Sequence, residues 1–203
     1  MSTKSILLFL AYSHGFRDCR IVIADKAIHE LTMPPARNPY QNPFPETDQD
    51  RRAIWEMLVS RDIDAFVTAD WSMVADDFIE ANFTGLSGHF QPDPQQFTLA
   101  FPTLAAYREE WLRQAQEFGE ARASGVFAGD PRAGIFAATR LEEIEIDGAA
   151  ALVRKKFDGR LAKADGGFDR MNWQTLYVCR RDGGRWKIAG FVGYLPHIKD
   201  EAV

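Results

Sequence analysis

The 203-residue sequence predicts an α+β fold in which helices come first and an antiparallel sheet follows. Three observations carry this expectation. Apolar residues recur at three- and four-residue spacing between residues 48 and 118, and strand-forming runs take over after that point. Tight-turn signals, Asp147-Gly148 and Asp182-Gly183-Gly184, join neighbouring runs and so specify a meander. An apolar content of 46% is ample for one packed domain of this length.

Residues 1–47 read as an N-terminal extension ending in a proline-rich arm, and residues 48–203 as the domain. The run "SILLFLAY" is too short to span a bilayer and lacks a small-residue cleavage site, so it reads as a buried strand or helix turn. Prolines at 34, 35, 39, 43 and 45 forbid a helix or central strand in "MPPARNPYQNPFPE", which is expected to act as a spacer. Met33 offers an alternative start.

Within the domain, "TDQDRRAIWEMLVSRDIDAFVTAD" predicts a helix capped by Thr47 or Asp48, in which Ile54, Leu58, the Asp62 turn and Ala65–Phe66 recur at three- and four-residue spacing, so that one face is buried. Asp70 caps a short helix, "WSMVADDF", and "IEANFTGLSGHF" is extended. Thr103 after Pro102 caps a long helix that carries Leu104, Tyr107, Trp111 and Phe118 on one stripe and stops at Gly119. Four strands follow: "IFAATRLEEIEI", "AAALVRKKFDGRLA", "NWQTLYVCRR" and "RWKIAGFVGYL". On the last strand Trp186, Ile188, Gly190, Val192 and Tyr194 form one row and Lys187, Ala189, Phe191, Gly193 and Leu195 the other; one row faces inward.

Composition excludes several function classes. A net charge of −5 and a pI near 5.4 give no basic footprint for nucleic acid. Cys19 and Cys179 lie far apart without a CxxC spacing, and the four histidines, His14, His29, His89 and His197, form no metal-ligand pattern. No metal and no cofactor are expected, and a reducing cytoplasm fits the cysteine usage. No G-x-S-x-G elbow supports a Ser–His–Asp triad around Ser87. The glycines of "RRDGGRWKIAGFVGYLP" precede a strand rather than a helix, so they shape a hairpin turn instead of cradling a phosphate.

The order helix, short helix, extended segment, helix and long meander resembles the nuclear transport factor 2-like superfamily, and most nearly its SnoaL-like branch. The resemblance spans residues 48 to 196 and rests on "RDIDAFVTADW…ADDFIEANFTG", "LEEIEIDGAAALV" and "YVCRRDGGRWKIAGF". It implies a curved sheet wrapped around about three helices into a cone with an apolar pocket in its mouth, often dimeric across the outer sheet face.

The resemblance also tests for known chemistry. Ketosteroid isomerases of this superfamily use a carboxylate base, a tyrosine and a protonated acid; the matching positions here hold Asn82, Ile63 and Gln174, which argues against isomerisation. Asn82 and Gln174 either orient a ligand by hydrogen bonds or are satisfied polar residues. SnoaL-like cyclases use Asp or His, which makes His89 a candidate acid/base, against its reading as a surface histidine. Epoxide hydrolases place Arg and Asp two apart on a strand; Lys156-x-Asp158 has that spacing, but its row with Leu152, Arg154 and Arg160 is expected to face solvent while Val153, Phe157 and Leu161 face the core. Arg61–Asp62 and Asp76–Asp77 read as dipole partners or solvated charges. The expected function is binding of a small, mostly apolar, ring-shaped molecule, with Phe66, Asn82, His89, Gln174 and Tyr177 as pocket residues and cofactor-free acid/base catalysis as its chemical extension. The alternative is a non-enzymatic dimerisation or interaction module whose pocket is filled. A homodimer is expected in either case.

Overall fold

The structure, a computed structural model, describes residues 38–197. "SILLFLAY", Met33, Pro34 and Pro35 lie outside them. The described end of the proline-rich arm packs on the domain: Tyr40 lies against Phe136 at 4.8 Å, and the Asn42 amide donates to the Arg52 carbonyl and to Glu56.

The first long helix comes in three parts. Helix α1 (Gln49–Trp55) is capped by Asp48, whose carboxylate accepts from the Arg51 amide; a π-helical turn covers Glu56–Arg61; and α2 covers Asp62–Thr68. A π turn holds one residue more than an α turn, which rotates everything after it by about 100°. Asp70 caps the short 3-10 turn Trp71–Met73. Thr103 caps α3 (Leu104–Ala123), which runs through Gly119 instead of stopping there. A Cβ at Gly119 would meet nothing, so the glycine only weakens the helix, by about 1 kcal/mol, while Trp111, Ala115, Phe118 and Ala121 are buried along it. The run "IFAA" was expected to begin a strand and instead completes α4 (Pro131–Ala138). Asp130 accepts from the Arg132 amide and Pro131 sits in the first turn, so a strong helix start overrides four apolar residues. Gly159 lets α4 approach the sheet, because a Cβ there would lie 2.6 Å from the Ala138 Cβ.

Six strands form one sheet in the order β2-β1-β6-β5-β4-β3: β1 (Thr84–Ser87), β2 (Thr98–Phe101), β3 (Thr139–Asp147), β4 (Ala150–Ala162), β5 (Phe168–Asp182) and β6 (Arg185–Pro196). Strand β2 has no counterpart among the predicted elements. The sheet is mixed rather than wholly antiparallel, because β1 runs parallel to β6. The β5–β6 hairpin closes through Gly183 and Gly184 at φ 57° and 80°, the left-handed conformation of a tight turn, as expected for that loop.

Neither complete row of β6 faces the core. Trp186 and Ile188 are buried, the register slips so that Ala189 is the extra residue, and Phe191 and Gly193 then face inward. A bulge shifts the alternation by one and bends the strand. Helices α2 and α3 lie on the concave side, where their apolar stripes meet the inward rows of β4, β5 and β6.

Candidate functional site

The concave side of the sheet encloses a cavity of about 130 Å³. Three elements build most of its wall. Helix α3 presents Tyr107, Trp111, Gln114 and Phe118 at helical spacing; β5 presents Met171, Trp173, Thr175 and Tyr177 at strand spacing; and α2 adds Asp62 and Phe66. Phe66 meets the Trp111 ring edge-on at 5.7 Å, and Tyr107 meets Phe191 at 5.0 Å, so the aromatic wall is self-supporting.

One charged pair sits in this apolar surround. Lys155 lies on β4 between Val153 and Phe157, so strand alternation carries its side chain inward, where it is 2% exposed. Its Nζ donates to Asp62 Oδ2 at 2.7 Å, and the Phe157 ring lies 5.1 Å away. Asp62 is the first residue of α2, and the π turn before it sets its direction toward the sheet. The Asp62 carboxylate remains 29% exposed.

The cavity phenols are strongly perturbed. Burial holds the pKa of Tyr107 well above the ordinary phenol value, with the neighbouring Tyr177 and the Asp62 charge adding to it. Burial does the same to Tyr177, with the Asp62 charge next and the Thr175 hydroxyl opposing. Tyr194, at the mouth, is raised by burial and pulled back by Gln114. All three are neutral donors at physiological pH.

Charged groups on α3 frame the mouth. Arg113 bonds Glu110 at 2.6 Å and Glu117 at 2.5 Å, and Gln114 donates to Glu110. The Arg113 bond holds the Glu110 carboxyl below the usual carboxylate range. Beside it, Phe90 and Tyr194 both adopt positive φ, at 60° and 54°, and the Phe90 amide donates to the Tyr194 carbonyl at 2.7 Å. Left-handed aromatics are strained conformations that persist only where their surroundings fix them.

The expected site residues divide. Phe66 and Tyr177 line the cavity. Gln174 does not, because it alternates with Trp173 and Thr175 and so points to the convex side, where it accepts from Arg154 and donates to the Pro196 carbonyl. Asn82 is exposed in the turn before β1, at a φ of 60° that asparagine tolerates better than most residues. His89 lies in a shallow groove outside the cavity, with its ring between Ser87 Oγ at 3.4 Å and Thr98 Oγ1 at 2.7 Å. Lys156 and Arg154 both pair with Glu143 on the convex face, where the charged row of β4 was expected. Arg61 and Asp77, expected as solvated or dipole charges, form a bidentate pair at 2.7 and 2.8 Å with the Asp77 carboxylate 3% exposed. Asp62 and Lys155 were missed. The signal for Lys155 was a cation inside the row Val153, Phe157, Leu161; the signal for Asp62 was a carboxylate in the row Ile54, Leu58, Ala65–Phe66 on the buried face of the first helix.

A curved sheet closing on two helices, with the cavity between them, decides the architecture. The fold is nuclear transport factor 2-like. Similar solved structures include a nuclear transport factor 2-like superfamily protein from Salmonella enterica serovar Typhimurium, at 13% identity and a TM-score of 0.47 over 76% of this chain and 96% of that one. An NTF2-like protein with a cystatin-like fold from Novosphingobium aromaticivorans matches at 13% and 0.45, over 74% and 83%. An NTF2-like protein of unknown function from Shewanella baltica matches at 16% and 0.42, over 71% and 92%. No family model and no curated protein matches the sequence. Among the described residues no group of His, Cys, Asp and Glu is placed to hold a metal, and no helix is long and apolar enough to cross a membrane.

Proposed function

We propose that the protein is a SnoaL-like binder of a small, mostly apolar, ring-shaped molecule, held in the cavity between α3 and β5. The observation that carries this reading is the cavity itself: an aromatic wall around about 130 Å³, with one ion pair inside it. An apolar cavity of roughly 150 Å³ accommodates benzene, so the space matches a single ring with its substituents directed to the mouth. The chemistry on offer is cofactor-free acid/base catalysis. Asp62 is the cavity carboxylate paired with the buried lysine, and Tyr107 and Tyr177 supply neutral donors. His89, Asn82 and Gln174 take no part in this reading. Leu152 and Val178 are opposed across β4 and β5 and exposed on the convex face, which supports a homodimer through that face.

Native mass spectrometry of the freshly purified protein, with toluene and indole as added probes, tests the binding reading. A co-purified small molecule or a saturable probe complex is expected. A protein that carries nothing and takes up neither probe would instead be the interaction module with a closed interior.

A further inference from the structure

The ion pair in the cavity is incomplete as a hydrogen-bonding unit. A lysine ammonium carries three donors, and among the described residues Lys155 makes one hydrogen bond, to Asp62 Oδ2. The side chain is 2% exposed, so bulk water does not serve the remaining donors. The Tyr107 hydroxyl, on the facing helix, likewise makes no hydrogen bond to a described residue, although the ring is packed by Trp71, Phe78, Phe83, Phe101 and Phe191. A buried cation with unserved donors costs free energy, and the cavity that Lys155 and the half-buried Tyr107 both line is where a ligand acceptor would reach them.

Charge narrows the class of acceptor. Lys155 and Asp62 cancel, so the deep end of the cavity is neutral overall. A ligand carboxylate would add an unpaired negative charge beside Asp62 in an apolar surround, which is costly. A ligand amine would compete with Lys155 for Asp62 and leave the donors unserved. An uncharged acceptor, above all a carbonyl oxygen, answers both donors without adding charge. Paired with Asp62 at 2.7 Å, Lys155 offers its remaining Nζ hydrogens to the cavity as donors.

We infer that the cavity is selective for a single-ring ligand bearing an uncharged carbonyl-type acceptor, bound by the Lys155 ammonium with the Tyr107 phenol as second donor. This inference rests on the binding reading proposed above and names the ligand class for that site.

Calorimetric titration with three compounds of one shape tests it: acetophenone, ethylbenzene, which lacks the acceptor, and benzoate, which carries a charge. Acetophenone is expected to bind about tenfold tighter than ethylbenzene, the margin of one good hydrogen bond to a charged donor, and benzoate weakest of the three. Tyr107→Phe should cut the acetophenone preference severalfold, and Lys155→Met combined with Asp62→Leu should abolish it. In both variants ethylbenzene affinity should fall less than acetophenone affinity, since hydrogen-bond donors contribute little to an apolar ligand. The double variant keeps the test alive if Lys155→Met alone fails to fold. Equal binding of acetophenone and ethylbenzene to the natural sequence overturns the inference while leaving the cavity a binding site. Failure of both to bind removes the binding reading and the inference with it. Tightest binding by benzoate, or a borohydride-trapped adduct on Lys155, overturns the uncharged, non-covalent mode.

Discussion

Arg61 and Asp62 are neighbours in the chain, yet they enter two ion pairs of opposite character. Arg61 grips Asp77 with two parallel bonds, Arg185 approaches the same carboxylate at 3.5 Å, and the carboxylate is 3% exposed. Asp62 meets Lys155 through a single bond, and here the cation is the buried partner while the carboxylate opens to the cavity. One pair is saturated by the protein; the other keeps donors in reserve. Burial alone therefore does not mark a site, and unspent hydrogen-bonding capacity inside a cavity marks it better.

The saturated pair should show the largest effect on stability. Removing the guanidinium in Arg61→Ala strands the Asp77 carboxylate, with Arg185 as a distant partner, and the expected loss is about 3 kcal/mol in chemical denaturation at pH 7. Burial already holds the Asp77 pKa above the ordinary value, against the pull of Arg61. Without Arg61 it rises further, so the folded pKa exceeds the unfolded one. Stability of the variant then increases as pH falls through the folded value toward about 4, where the stranded carboxylate is protonated. A deficit that stays constant between pH 7 and pH 4 would mean that Asp77 is not the group left unpaired.

The unsaturated pair should behave in the reverse sense. Replacing both partners in Asp62→Leu/Lys155→Met exchanges a desolvated charge pair for apolar side chains of similar bulk, which in buried sites is neutral or stabilising. A melting curve unchanged or raised by the equivalent of about 1 kcal/mol is expected, with loss of the carbonyl preference. A loss of stability as large as that of Arg61→Ala would make this pair a structural element like the first and remove the contrast.

Neither ion pair was legible in sequence, whereas the caps and the hairpin were, and the reason is local geometry. Caps are written in adjacent residues, and Asp48, Asp70 and Thr103 stand where the sequence put them. The Asp-Gly-Gly hairpin is equally local. Residues 131–138 were misread although Asp130-Pro131 announces a helix, because four apolar residues look alike in helix and strand. Phe191 depends on a bulge, which shifts the alternation by one residue, and no pattern of residue types records such a shift; Asp62 and Lys155 are far apart in the chain, so their pairing is not written in either segment. Outward placement of Gln174 was recoverable from alternation with the apolar Trp173 and Met171. Gly119 is the mild case: helix α3 tolerates it, so Gly119→Ala should stabilise by about 0.5–1 kcal/mol, read as a higher denaturation midpoint with an unchanged slope.

The smallest effect at neutral pH concerns the cavity phenols, and it appears only in alkali. Tyr107, Tyr177 and Tyr194 are three of the five tyrosines, and burial raises the pKa of each above the ordinary value near 10. A group whose folded pKa is raised contributes stability that is complete below the unfolded value and is lost as pH rises beyond it. These phenols therefore leave stability unchanged from pH 7 to about 9 and erode it above pH 10, where the unfolded chain releases protons that the folded one retains. Absorbance of the phenolate should report fewer than five tyrosines ionising reversibly in the folded protein, with the rest appearing together as the chain unfolds. The contrast with the ion pairs predicts one further detail. A bound acetophenone accepts from Tyr107 and loses that bond when the phenol ionises, so the ligand should delay this alkaline step, whereas ethylbenzene should delay it less. Equal protection by the two compounds would place the acceptor away from Tyr107.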